Sequence, residues 1–237
     1  DRTKSRGLGD VYKRQLVITA FVGLVMGLIN GFIVTRFNVH SIIVTLGTLS
    51  LYRGLVFIVS GGRQIDRNDI PEHVVSFSQT SFLFSIPGIL IFSAIIVIIT
   101  HLVMRHSVLG REIYATGSNP VAAHLKGINV TKVTLFCFGI CGMLAGVAGL
   151  FYASRFGYVN PGVTGVGIEF IVIAGVIIGG TSITGGSGSV LGTFLGILLL
   201  GIITVALPVL NRPGEFQKAI YGLIIVVALA LDQLIIY

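Results

Sequence analysis

The stretch Leu16–Phe37, "LVITAFVGLVMGLINGFIVTRF", decides the fold. It carries no charge before Arg36. As a helix it is long enough to cross a hydrocarbon core of about 30 Å. Gly23, Gly27 and Gly31 recur at every fourth position and so share one face. Membrane helices approach one another closely through small residues spaced in this way. Asn30 lies beside that face, and an amide in an apolar span is expected to hydrogen-bond a neighbouring helix.

The same character extends along the chain. Its 237 residues are 54% hydrophobic and only 11% charged, with a mean hydropathy of +0.96. A soluble domain carries about a quarter charged residues. The composition therefore predicts an all-α polytopic integral membrane protein, because helices satisfy their own backbone polar groups inside lipid. Further spans are expected at Ser41–Ser60, at about Ile86–Met104, at about Val133–Ser154 and at about Phe216–Leu231. The fourth of these carries Gly139, Gly142, Gly146 and Gly149.

Between the last two lies "GIEFIVIAGVIIGGTSITGGSGSVLGTFLGILLLGIITVALPVL", residues 167–210, which is not one simple span. Glu169–Gly179 is too short to cross alone, and "GGTSITGGSGS" is flexible and polar. Gly188, Gly192 and Gly196 then open another helix at four-residue spacing. The total is about six to seven membrane segments, including this broken or short pair. Irregular backbone at membrane depth is tolerated where it lines protein or water, which makes a broken pair a pointer to a translocation path. An ordinary short turn outside the membrane fits the same residues.

The first fifteen residues, "DRTKSRGLGDVYKRQ", hold five Lys or Arg against two Asp, so they supply +3 of the formal charge of +7. They show no apolar periodicity, and the helix is expected to begin abruptly at Leu16. Residues 1–15 are read as a non-native scar, with a genuine basic juxtamembrane tail as the alternative, and 16–237 as the membrane domain. The remaining basic residues suit anionic lipid at one membrane face and form no patch for nucleic acid.

Polar residues inside the spans are the candidates for a solute path: Asn30, Thr45, Thr48, Arg53 and Glu169. Arg53 either lines the path, pairs within the bundle or snorkels to an interface. Glu169 either contacts a polyhydroxylated solute or outer gate, or favours the start of its helix through the dipole. Cys137 and Cys141 stand four apart on one helix, without the ligand count of a structural metal site, and read as small packing residues.

Lys and Arg set the orientation of a membrane chain. The loop 105–132 has Arg105, Arg111, Lys126 and Lys132; the loop 61–85 has Arg63 and Arg67; the loop 155–168 has Arg155. The contrast places 105–132 in the cytoplasm and 61–85 outside. Inside the cytoplasmic loop a short helix has written boundaries. Asn119 serves as N-cap, Pro120 as the first helical residue, "VAAHLK" follows, and Gly127 is a left-handed stop. So short a helix is marginal in water and needs a surface. Its partly apolar face, Val121, Ala122, Ala123 and Leu125, predicts docking on its own bundle or on a soluble partner.

Three motifs, "TLGTLSLYRG" at 45–54, "GREIYATGSNPVAAHLKGINV" at 110–130 and "VIIGGTSITGGSGSVLG" at 176–192, resemble the permeases of ribose-type ABC sugar importers. Those belong with the branched-chain-amino-acid-type inner-membrane permeases of bacteria. The resemblance covers roughly residues 16–232. Details of "FNVHSIIVTLGTLSLYRGLVF" and "YATGSN" are similar to the autoinducer-2 and rhamnose branches. The resemblance implies that Asn119, Pro120, Val121, Ala122, Ala123, His124, Leu125, Lys126 and Gly127 form a coupling helix that docks on a separate ATP-binding subunit. It also implies an extracytoplasmic solute-binding protein, a second permease chain and substrate movement by alternating access. Family members carry about a further third of length at the N-terminus, including a "GIDLSVGS"-like segment not found here, so the chain is read as the C-terminal part of a longer domain.

Other function classes find less support. No G-x-x-x-x-G-K-[ST] phosphate loop is present, so ATP and magnesium are expected on the partner rather than on this chain. No Ser-His-Asp or HExxH arrangement stands out, and the five histidines are scattered. An ion- or proton-coupled secondary transporter, with Glu169 as its coupling carboxylate, and a non-transporting membrane scaffold are the alternatives.

Overall fold

The computed structural model describes residues 2–69, 81–82, 86–209, 219–224 and 226–227. Among the described residues five helices are long and apolar enough to cross a membrane: Arg14–Phe37 within helix α1 (Arg2–Phe37), α2 (Ser41–Ser60), α3 (Gly88–His106), α6 (Val130–Phe156) and α8 (Val190–Val209). Shorter helices α4 (Val108–Ser118), α5 (Pro120–Leu125) and α7 (Ile168–Ile178) lie between them. Most large apolar side chains on the spans are exposed, the inverse of a soluble core and the arrangement a lipid solvent permits. A two-residue antiparallel pair, β1 (Ser81–Phe82) with β2 (Ile86–Pro87), is a small departure from all-α.

The element boundaries differ from the sequence expectation in definite ways. α1 does not start at Leu16: the helix is continuous from Arg2, because "TKSRGLGDVYKRQ" contains no proline to stop it. α3 begins after Pro87, two residues later than expected, and α6 extends about a turn beyond the apolar core at its N-terminal end. The expected last span, Phe216–Leu231, lies largely outside the described residues, with 219–224 helical within it.

The chain divides into two compact units. The first comprises residues 1–93 and 131–164. In it α1 and α6 run antiparallel and touch backbone to backbone. A Cβ added at Gly142 would collide with the Gly23 carbonyl and come within 2.8 Å of the Gly27 Cα; one at Gly23 would collide with the Gly142 carbonyl. One at Gly146 would strike the carbonyl of Thr19. The four-residue spacing in α1 thus meets matching glycines in α6, as the pattern predicts. α2 ends in a Schellman turn, with left-handed Gly61 (φ +61°) and the Gly62 N–H donating to the Phe57 carbonyl at 3.0 Å. Phe92, near the start of α3, meets Phe151 of α6 edge-on at 5.0 Å.

The second unit comprises residues 94–130 and 165–237. Its centre is the antiparallel pair α7–α8, again joined through glycine. A Cβ at Gly196 would collide with the Gly175 carbonyl, and one at Gly192 with that of Gly179. Ala174, Leu200 and Tyr221 are buried together beside this contact. The Tyr221 and Thr204 hydroxyls bond one another, so the buried phenol is satisfied.

Candidate functional site

The polar middle segment is more structured than a loop with one small helix. Ser107 alone separates α3 from α4. Its hydroxyl donates to the Val103 carbonyl at 2.6 Å and accepts from the Gly110 N–H at 3.0 Å, ending one helix and capping the next. The corner is tight enough to require glycine at 110, where a Cβ would sit 2.8 Å from the Met104 Cα.

Asn119 performs the same double duty one step on. Its backbone N–H donates to the Ala115 carbonyl at 3.1 Å, closing α4, and its side-chain oxygen accepts from the Ala122 N–H at 3.0 Å, opening α5. Pro120 occupies the first position of α5. The far end is a full Schellman motif: Gly127 has φ +84°, its N–H donates to the His124 carbonyl at 2.9 Å, and Ile128 N–H donates to the Ala123 carbonyl at 3.1 Å. Cap, proline and glycine therefore act as the sequence indicates.

The face they present is corrected in one respect. Ala123 is 3% exposed, so it belongs to the seat of the helix and not to its outer surface. Val121 and Leu125, one turn apart, are 71% and 82% exposed, and Ala122, His124 and Lys126 are exposed around them. A six-residue helix has two sides, and its smallest apolar residue is the one that fits against protein.

The glycine-rich segment at 179–189 is held in place against α4. A Cβ at Gly117 would sit 2.7 Å from the Gly186 nitrogen, and one at Gly186 would sit 2.8 Å from the Ser118 Cα. Gly185 and Gly186 have φ of +95° and +81°, a backbone that other residues adopt only with strain. The Ser182 N–H donates to the Ser187 carbonyl at 3.1 Å, and the Tyr114 hydroxyl donates to the Gly188 carbonyl at 3.0 Å. The break between α7 and α8 is thus an ordered turn docked on α4, immediately before α5. Nothing local to Tyr114 announces a partner 74 residues away, and the sequence reading did not single it out. Tyr114→Phe is expected to cost about 1 kcal/mol of local stability. Hydrogen exchange at residues 182–188 would then quicken roughly fivefold, without loss of the fold.

The solute-path candidates separate. Asn30 and Thr45 line one cavity of about 730 Å³ in the first unit, among α1, α2 and α6. Tyr52, which the sequence reading passed over, joins them; its hydroxyl lies 3.4 Å from the Asn30 side-chain oxygen and 3.3 Å from the Met26 carbonyl. A tyrosine in an apolar span needs a partner for its hydroxyl, and that is the signal that could have found it. Thr45 and Thr48 are each turned back on their own helix, donating to the Ser41 and Val44 carbonyls at 3.0 Å, and Thr48 is not in the cavity lining. Arg53 is half-buried, with no ion pair among the described residues. Glu169 belongs to the second unit, in the first turn of α7, where its carboxylate complements the helix dipole. Cys141 lines the cavity, and neither it nor Cys137 is in a disulfide.

In the first unit the loops at 61–69 and 157–164 are tied together. Ile65 and Val159 exchange backbone hydrogen bonds at 3.0 and 2.9 Å, and the Asn160 amide donates to Gln64 at 3.2 Å. Arg63 and Asp69 form an exposed ion pair at 3.5 Å.

Membrane-length helices joined through glycine, with a short capped helix between two of them, define a polytopic membrane protein. Residues 15–229 match the family described as branched-chain amino acid transport system / permease component. The chain belongs to that family and is a multi-pass protein of the bacterial inner membrane. Over 211 residues it is 36% identical to the autoinducer 2 import system permease protein LsrC of Yersinia pseudotuberculosis serotype O:1b (strain IP 31758), and equally to that of Yersinia pestis (strain Pestoides F). The aligned region is 89% of this chain and 59% of each relative, so the chain spans about three-fifths of the length of the curated relatives it matches. No solved structure matches it.

Proposed function

We propose that the chain contributes the membrane-spanning permease of an ATP-binding-cassette importer for a sugar or sugar-like solute of the autoinducer-2, ribose or rhamnose type. The family and the import role in the relatives' names support the class. The observation that carries the mechanism is the capped helix α5, seated by Ala123 and offering Val121 and Leu125 outward. An exposed apolar pair on a rigid helix suits a groove on a soluble partner.

In this reading Asn119 to Gly127 dock on a separate subunit that binds ATP and magnesium, and this chain binds no cofactor itself. Residues 105–132 face the cytoplasm. The loops at 61–69 and 157–164 face outward, toward a solute-binding protein, and a second permease chain completes the pathway. Nucleotide on the partner biases the permease between two conformations, and solute crosses by alternating access. The ordered turn at 179–189 carries motion from α4 to α7 and α8. Asn30, Thr45 and Tyr52 offer the path its polar groups in the first unit, with Thr48 and Arg53 on the same helix as Thr45 and Tyr52, and Glu169 in the second.

The test is a crosslink from Leu125→Cys, in a background without Cys137 and Cys141, to the co-expressed ATP-binding subunit in the intact transporter. A crosslink whose yield changes with ATP is the expected result. A folded permease that gives no crosslink beside a folded ATPase would sink the docking role and favour an ion-coupled transporter or a scaffold.

A further inference from the structure

Where α3 ends and α8 begins, the second unit contains a cavity of about 470 Å³ that the transport reading does not use. It is lined by His101 and Arg105 from the last turns of α3, Arg111 and Tyr114 from α4, and Gly188 and Ser189 before α8. α3 and α8 are both membrane-length helices, so the level at which one stops and the other starts is the boundary between acyl chains and headgroups.

The charge lining the cavity is one-sided, although Glu112 follows Arg111 on α4 outside that lining. No carboxylate lines the cavity, and Arg105 and Arg111 are exposed, with no ion pair among the described residues. The Tyr114 hydroxyl is already committed to the Gly188 carbonyl, so beside the His101 ring the two guanidinium groups are the fixed cations of the lining. Guanidinium presents a fork of donors that matches two oxygens of one phosphate. Leu102, three residues before Arg105 on α3, and Leu191, in the first turn of α8, are half-exposed apolar surface suited to acyl chains.

We propose that this cavity, through Arg105 and Arg111, binds the phosphate of an anionic phospholipid. A zwitterionic lipid would add an ammonium to a pocket that already holds two cations. A lipid with net negative charge leaves its phosphate to the arginines and its tails to that apolar surface. The proposal does not rest on the transport reading and is tested without the ATPase.

The chain would be delipidated and returned to phosphatidylcholine bilayers with and without phosphatidylglycerol. Lipid retained on re-extraction would be counted by native mass spectrometry. The expected result is retention of phosphatidylglycerol over phosphatidylcholine by roughly tenfold or more, as two interfacial arginines would give. Arg105→Gln with Arg111→Gln should bring the ratio near parity, while Arg36→Gln, at the exposed end of α1, should leave it unchanged. Both replaced arginines are exposed, and circular dichroism of the double variant checks that the helices persist. A double variant that keeps the wild-type preference would overturn the site. Inorganic phosphate added to pure phosphatidylcholine bilayers separates the sources. Arginine-dependent phosphate binding without enrichment of phosphatidylglycerol would overturn the lipid assignment in favour of a soluble phosphate.

Discussion

Leu125→Glu is expected to abolish ATP-driven uptake while leaving the melting temperature of the permease unchanged. The side chain is almost wholly exposed, so the isolated fold loses nothing when it is replaced. Docked in a groove, a leucine contributes about 1.5–3 kcal/mol by leaving water. A carboxylate in its place adds the cost of an unpaired charge against an apolar wall. Together these weaken the contact by about 3 kcal/mol or more, on the order of a hundredfold in affinity. Two measurements check it: co-purification of the ATP-binding subunit and solute uptake in the intact transporter. Loss of both with normal membrane insertion supports docking at α5. Unchanged uptake would remove α5 from the coupling path. The same change at Ala123 is uninformative, because that position is buried and a charge there disturbs the seat of the helix.

Gly142→Ala should unseat α1 from α6 although it adds a single methyl group. The new Cβ would meet the Gly23 carbonyl and the Gly27 backbone, which no rotamer change can move aside. Overpacking of this type costs about 1–3 kcal/mol, with the upper end expected where both neighbours are main chain. For a chain of this size the midpoint of thermal unfolding should fall by about 6 °C or more. The control is Gly149→Ala on the same helix, where a Cβ meets nothing within 4 Å and the melt should hold or rise, since alanine favours a helix over glycine. Equal melts for the two variants would show that the glycine contact does not hold the first unit together.

The parts of the structure legible in the sequence were those written locally. Gly23, Gly27 and Gly31 announce a close helix contact by spacing alone, and Gly142 and Gly146 answer it. Asn119, Pro120 and Gly127 state where a helix begins and ends because capping is a matter of a few neighbouring backbone groups. Asn30 was expected to find a partner on another helix and meets Tyr52 of α2.

What the sequence hid depends on distant residues. α4 falls within the polar segment 105–132 that reads as a loop, yet the Ser107 cap and the turn lying on Gly117 sustain a helix there. The segment "GGTSITGGSGS" resembles a flexible linker by composition, and only the surfaces it meets, α4 at Gly185 and Gly186 and α8 at Gly179, explain why glycine is needed there. Ala123 was grouped with Val121 and Leu125 by hydrophobicity, although helical phase sets it on another side.

The glycine contact between α1 and α6 also limits how these two helices can travel. A slide of part of a turn would carry the glycines off one another and toward the side chains of Thr19 and Phe138, which flank them on the same faces. Only a displacement of four residues, about 6 Å along the axis, returns glycine to glycine. The contact therefore works as a detent: the pair holds its register against small pushes, and any axial movement between them occurs in whole turns or not at all.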